Sequence, residues 1–584
     1  MADKNDLEKG ASRSSAPQYD YGDAEETKTG TKWSRFADSF KRNPNARMVT
    51  EALDAEGKPL PDQPPAEPAL SMKLKDRHLQ MIAIGGSIGT GLFVGSGSAL
   101  QAGGPASLII AYGLIGVMLY CTVHALGELA VAFPVAGSFA VYASRFLDPA
   151  WGFAMAWNYA LSWLVTLPLE IVAASMTMSY WEGAKNVNPA AWVTIFLALI
   201  ISINMFGVKG YGEAEFIFSI IKVIAVIGFI LLGIIIDTGG VKGQPYMGAK
   251  YWNNPGAFHN GFKGLCSVFV TAAFSFAGTE LVGLCAAETE NPRKTLPTAV
   301  KQVFWRITLF YMISLTIVGV LVPYTDPQLI GASSSDANAS PFVIAVKNAG
   351  ISVVPSIMNA VILIAVLSVG NSSIYGSSRT IAALADRGQA PKWLGYIDRS
   401  GRPLAAILFS SVFGFIAYIV AAGDDARSKA FTWMLAISGL AAIFNWASIC
   451  LCHIRFRQAF HAQGHTLDEL AFKSQATVYG SWLGFIFNIL ILIAQFWTGF
   501  APVGYGEMTA GERVENFFEA YLAAPIVILF YVVYKLVMKT RFKRLHEIDV
   551  TSGKREMNLA ALLAEERAEQ AMWPMWKKVW KTVC

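Results

Sequence analysis

Charge is what this sequence lacks most. Of its 584 residues only 15% are Asp, Glu, Lys or Arg, while 54% are hydrophobic. An ordinary soluble domain carries about a quarter charged residues, and the mean hydropathy here is +0.41. A soluble globular protein is therefore excluded, and an integral membrane protein is expected. Cysteine is scarce as well. Of the six, Cys121, Cys266, Cys285, Cys450 and Cys452 lie inside apolar runs and Cys584 ends the chain, so no disulfide framework is expected. The seven histidines form no pair at metal-ligand spacing, and His453, His461 and His465 are expected in one loop. No metal, no cofactor, no nucleic-acid partner and no enzymatic activity are expected. No cleavable signal peptide is expected ahead of the first apolar run, because residues 1–72 are polar and charged.

Long apolar runs are what the chain has. About twelve segments approach the ~20 residues a membrane helix needs. They are α1 (79–100), α2 (105–132), α3 (151–181), α4 (190–206), α5 (214–237), α6 (264–287), α7 (302–323), α8 (353–380), α9 (403–422), α10 (431–453), α11 (479–498) and α12 (518–537). An even number returns both ends to one side. Basic residues concentrate in the loops of that side, Arg145, Lys209, Arg293, Lys294, Arg387, Arg399 and Arg402 among them. The positive-inside rule then puts both tails in the cytoplasm. The expected layout is a disordered N-terminal tail (1–72), a membrane domain (73–537) and a C-terminal tail (538–584). Within the first tail, residues 33–42 read as a short amphipathic, surface-seeking segment or a regulatory docking element. The second tail ends in Trp and Lys around a terminal Cys584, a pattern suited to the membrane interface with or without palmitoylation.

Glycine is concentrated in α1, in Gly85-Gly86-Ser87-Ile88-Gly89-Thr90-Gly91. Glycine costs a helix interior about 1 kcal/mol relative to alanine, and irregular backbone survives at membrane depth only where it lines a cavity or is covered by protein. A broken helix is expected. A second break is expected in α6, where Phe274-Ser275-Phe276-Ala277-Gly278-Thr279-Glu280 puts a glycine, hydroxyls and a carboxylate in mid-span. The two lie five spans apart, the pattern of a transporter with internal repeats. At the first break, the amides of Gly89, Thr90 and Gly91 at a helix N-terminus suit a carboxylate. At the second, the carbonyls from Phe274 to Ala277 suit an ammonium group or a metal cation. Donors and acceptors so placed fit the two ends of an amino acid.

These stretches resemble the fungal amino acid permeases of the amino acid–polyamine–organocation superfamily, the general permeases above all. The likeness runs from Leu74-Lys75-Asp76-Arg77-His78 through the two breaks, with Ala125-Leu126-Gly127-Glu128, Pro134-Val135-Ala136-Gly137-Ser138-Phe139, Leu167-Pro168-Leu169-Glu170, Glu290-Asn291-Pro292-Arg293-Lys294 and Ser377-Ser378-Arg379. The resemblance implies an all-α, LeuT-like fold of two inverted five-helix repeats plus two helices, with helices 1 and 6 broken. It implies a proton-coupled importer of amino acids at the plasma membrane, whose tails meet ubiquitin-ligase adaptors. Carried over, carboxylate contacts fall on Ser87, Gly89, Thr90 and Gly91, and the ammonium and lid contacts on Phe274 and Ala277, with Ser275 and Gly278 completing the second break. Several relatives have tryptophan where Phe274 stands.

Charges inside a span are costly and mark function. Glu280 is expected to carry the coupled proton, or else to be a structural carboxylate accepting amides from α1. Lys222, alone in an apolar run, either replaces a dissolved cation or snorkels to the interface. Glu170 is a second titrating site or a partner for Lys222. Glu128 and Ser438 are expected to support a gate or specificity. Polar residues of α8, Ser368, Asn371, Ser372 and Ser373, are expected mainly to bind helices together. The leading function is broad-range proton–amino acid symport; a sensor using the same pocket and a narrow-range permease are the alternatives. Without an acidic residue in the breaks other than Glu280, neutral substrates are expected.

Overall fold

A computed structural model of the chain describes residues 31, 34, 37–43, 70–86, 88–289, 292–330, 340–552 and 574. It is helical throughout: among the described residues, extended pairing is limited to two isolated bridges, Arg42 with Asp398 and Leu74 with Thr289.

The apolar runs are the helices. α1 is split into Asp76–Gly85 (α1a) and a second half (α1b, residues 91–103) that opens with a π turn, Gly91–Gly95. A kink at Gly104, whose φ is +79°, followed by Pro105, separates α1b from α2 (105–132). The rest are α3 (Pro149–Met178), α4 (Pro189–Met205), α5 (Gly207–Asp237), α6a (Gly261–Phe276) with α6b (Leu281–Cys285), α7 (Pro292–Leu321), α8 (Val354–Asp386), α9 (Leu404–Ala422), α10 (Asp424–Ala462), α11 (Thr477–Phe500) and α12 (Ala523–Met538). Caps explain sharp starts. Asp148 and Asn188 accept the amides of Ala150 and Ala190, each at 2.9 Å, and a proline follows each in the first turn.

Several boundaries differ from expectation; α7, for one, starts at Pro292, ten residues before its apolar run. α10 runs to Ala462, so His453 and His461 lie on the helix, and only His465 is in the loop. Its polar last turns, Arg455 and Arg457 included, had no hydropathy signal, but they pack against neighbouring elements. The apolar run of α12 begins inside an amphipathic helix, Ala510–Tyr521, bent 62° from Ala523–Met538.

α3 packs along α8 and α10, and α2 along α6a, making the interior. α5, α9 and α11 lie outside and turn isolated apolar side chains outward, among them Ile224, Leu231, Phe415, Leu490 and Ile493. Such a surface suits hydrocarbon. On the face where residues 37–43 and 539–552 lie, these two chain segments dock. Phe40 O accepts from the Tyr396 hydroxyl at 2.8 Å, the Arg402 guanidinium stacks on the Phe40 ring, and Arg399 pairs with Asp38. Residues 539–552 lie across the ends of α3 and α10: Lys543 donates to Leu147 O at 2.8 Å, and Gln463 to Ile548 O at 2.7 Å. Ile548 and Val550 are buried there.

Candidate functional site

The α1 break is a steric consequence of its glycines. A Cβ on Gly91 would lie 2.4 Å from the Ser275 Cα, nearer than any real contact. Only glycine lets α1b meet α6a so closely. The Tyr112 hydroxyl then reaches the Ser275 hydroxyl at 2.8 Å, and Tyr311 donates to Ser275 O at 2.7 Å. In α6 the helix stops at Phe276; Gly278 takes φ +94°, a left-handed conformation glycine adopts freely.

Between the breaks lies a cavity. Gly89, Thr90, Gly91, Phe274, Ala277, Glu170 and Glu280 line it, so seven residues expected at the site meet in one place. First-turn amides of a helix have no intrahelical acceptor, and Gly89 to Gly91 bring that turn to the cavity wall. Glu170 is the more informative acid. The Thr90 hydroxyl donates to its Oε2, while its Oε1 is buried without a partner. Glu280 is held at both oxygens, by the Gly278 amide at 3.1 Å and the Trp446 indole at 3.2 Å.

Other expected residues stand apart. The Ser275 hydroxyl is used by Thr271 O at 2.8 Å and by Tyr112, and the carbonyls of Ser275 and Phe276 are taken by Tyr311 and Thr279. The polar groups of Ser275 and the amide of Gly278 therefore hold the break rather than line the cavity. Ser438 sits one layer out, bonded to the Thr166 hydroxyl at 3.0 Å and Ser162 O at 3.1 Å. Lys222 pairs with Glu215 at 3.4 Å, not with Glu170, and donates to Gly85 O at 2.6 Å and Ser368 at 2.9 Å. It is wholly buried, so it does not snorkel. Glu128 is remote from the cavity, gripped by Arg457 at 2.6 and 2.7 Å and by the Ser474 amide at 2.6 Å. In α8, Asn371 accepts from Asn204 at 2.8 Å and Ser372 meets Tyr211 at 3.1 Å, contacts that join helices. Ser87 and Cys584 lie outside the described residues, as do residues 33, 35 and 36 of the amphipathic N-terminal stretch.

Sequence reasoning missed Ser162, Trp163, Thr166 and Val369 on the cavity wall, along with Glu215 and Arg306. Glu215 was findable: it precedes Lys222 by two helical turns on one face of an apolar helix. Arg306 went unmarked: the apolar run of α7 starts at 302, ten residues after the helix itself.

Residues 78–547 match the amino acid permease family model. The chain belongs to the amino acid permease family. The general amino-acid permease GAP2 of Candida albicans is 54% identical over 94% of this chain and 93% of its own. GAP1 of Saccharomyces cerevisiae is 52% identical, covering 96% and 93%. A cationic amino acid transporter of Schizosaccharomyces pombe is 51% identical over 83% and 82%. Among solved structures, a substrate-bound, outward-open sodium-coupled sialic acid symporter aligns with a TM-score of 0.43 at 12% identity, covering 75% of this chain and 91% of that one. The permease is thus a multi-pass transporter rather than an enzyme, with the first and sixth helices broken as expected.

Proposed function

We propose that this permease imports amino acids with protons across the plasma membrane, with both termini in the cytoplasm. The observation that carries the reading is the cavity itself: two carboxyl groups and two helix breaks around one shared space. The substrate carboxylate sits on the start of α1b, at Gly89, Thr90 and Gly91, with Ser87 beside them. Its ammonium faces the end of α6a at Phe274 and Ala277, within reach of the free Glu170 Oε1. Two acids that share this space and have no cation pair do not both hold charge readily, so a proton entering with the substrate resides on Glu280 or Glu170. Lys222, fixed between Gly85 O and Glu215, supplies an amine where a dissolved cation would otherwise serve. The basic loops on the terminal face support cytoplasmic tails, which would also present the chain to ubiquitin-ligase adaptors.

Glu170 on the cavity wall widens the expected substrate range from neutral to cationic side chains. Release toward the terminal face requires α1a to swing away. Travelling with α6 and α7, it would break the Arg77–Glu213 pair to α5 and keep the Thr295–Asp76 hydrogen bond and the Leu74 amide bond to Glu288 O at 3.1 Å. Uptake of labelled leucine, glutamine, lysine, arginine and glutamate by proteoliposomes, with a pH gradient, a sodium gradient or neither, tests the reading. Accumulation of several of these under the pH gradient alone is expected. Accumulation that follows sodium, or confinement to one side-chain class, defeats it.

A further inference from the structure

Arg306 is a buried cation that the transport scheme has not yet used. It sits fourteen residues into α7 and is 1% exposed. No carboxylate is within ion-pair distance of it among the described residues. One guanidinium nitrogen donates to Ala83 O at 2.7 Å, a second to the Thr279 hydroxyl, and Nε has no partner. Glu280 acts on it only through space, and an arginine inside a membrane protein with no directly paired acid is expensive. Its oxygens therefore matter.

Both are at the breaks. Ala83 is in the last turn of α1a, where carbonyls lack intrahelical donors and the helix dipole is negative. Thr279 lies in the α6 break, directly before Glu280, and passes the contact on by donating to Phe276 O at 2.6 Å. On the other side of the same α1a terminus, Lys222 holds Gly85 O at 2.6 Å. The carbonyl end of α1a is thus capped by two basic side chains, one from α5 and one from α7. A cluster of carbonyl and hydroxyl oxygens of this kind is the donor set that a hard monovalent or divalent cation takes; here a guanidinium takes it.

We propose that Arg306 is a positioning residue for transport: a built-in cation that ties the end of α1a to the α6 break so that the two move as one unit. α1a and α6 have no covalent connection at this depth, and alternating access needs them to travel together. The planar guanidinium serves both partners at once, which a lysine ammonium at the same backbone position reaches less well. The inference rests on the amino acid reading of the cavity but not on proton coupling.

The test is amino acid exchange between equal pools across proteoliposomes, which needs no gradient. Arg306→Ala is expected to slow exchange on the order of 10- to 100-fold, the scale of a lost charge-assisted hydrogen-bond pair. Binding of labelled substrate in detergent should change far less. Guanidinium chloride should restore exchange in Arg306→Ala several-fold, while tetramethylammonium chloride at equal ionic strength should not. Arg306→Lys should fall between. Unchanged exchange in Arg306→Ala, or a loss that guanidinium leaves untouched, overturns the proposal. If Arg306→Ala does not fold, Thr279→Ala answers the same question by removing one acceptor: slower exchange at unchanged substrate affinity supports the link, and unaltered exchange refutes it. Sodium-driven uptake by the wild type would defeat proton coupling and leave this result standing.

Discussion

Thr90 and Glu170 form the contact on which, in the proposed function, substrate and proton meet. The Thr90 hydroxyl donates to Glu170 from the first turn of α1b, so one side chain belongs to the carboxylate end of the site and also orients an acid. Thr90→Val keeps the shape and removes both functions. Half-saturation concentrations for all substrates should rise, by about tenfold if one hydrogen bond to a charged group is lost, as read by uptake kinetics across a substrate panel. Glu280→Gln should abolish pH-driven accumulation and leave exchange partly intact. Glu170→Gln should reduce exchange as well, because the free Oε1 faces the ammonium. Equal pH-driven uptake by wild type and Glu280→Gln would move the proton to Glu170. At this scale the sequence disclosed identities better than partnerships. Glu280, Glu170 and Lys222 announce themselves as charges in apolar runs. Which atoms the two acids face depends on helix rotation and on neighbours far along the chain, Trp446 for Glu280 and Thr90 for Glu170, and no local pattern encodes that.

The helices were legible for a different reason. A membrane span must satisfy its own backbone, so hydropathy marks it and glycine marks where it fails. That is why both breaks were readable within a few residues. Ends were less so: α10 continues through Arg457 because Glu128, Ser481 and the docked C-terminal segment satisfy its polar last turns. The cavity wall supplied by α3 was invisible, since Ser162, Trp163 and Thr166 read as ordinary span residues. The tight contact between α1b and α6a makes one consequence measurable. Gly91→Ala drives a methyl against the Ser275 backbone and should destabilise the protein by roughly 1–3 kcal/mol, the usual cost of overpacking. Gly228→Ala, on the outer helix α5 where an added Cβ meets nothing within 4 Å, should be neutral or slightly stabilising. Thermal stability of the two variants in detergent separates them.

Across the whole molecule, the two docked chain segments secure the terminal face. Asp148 is the hinge pin of one of them: it caps α3 through Ala150 and accepts from Thr540 at 2.7 Å and from Lys535. Burial pushes its carboxyl up, but the hydrogen bonds from Lys535, Thr540 and Ala150 outweigh burial and hold it below the ordinary range. A depressed carboxyl stabilises the fold at pH values above the ordinary carboxyl range near 4, and that contribution fades as pH falls through the depressed value. Asp148→Ala should therefore lower the apparent melting temperature at neutral pH, by an amount equivalent to roughly 1 kcal/mol or more from the lost cap. The gap between variant and wild type should narrow on acidification below pH 4. A gap that stays constant would show that the carboxylate charge is not involved.

The anchoring points of those segments also decide what the chain ends can report. Residues 37–43 hold the loop between α8 and α9, and residues 539–552 hold α3 and α10, none of which is the α1–α6 pair. A donor and an acceptor fluorophore fused near the two docked segments would therefore ride on the stationary frame and give a constant transfer efficiency through the transport cycle. Moving the donor to the exposed side of α1a at Lys75, while keeping the acceptor on the C-terminal segment, would turn the same pair of dyes into a gauge of the inner gate.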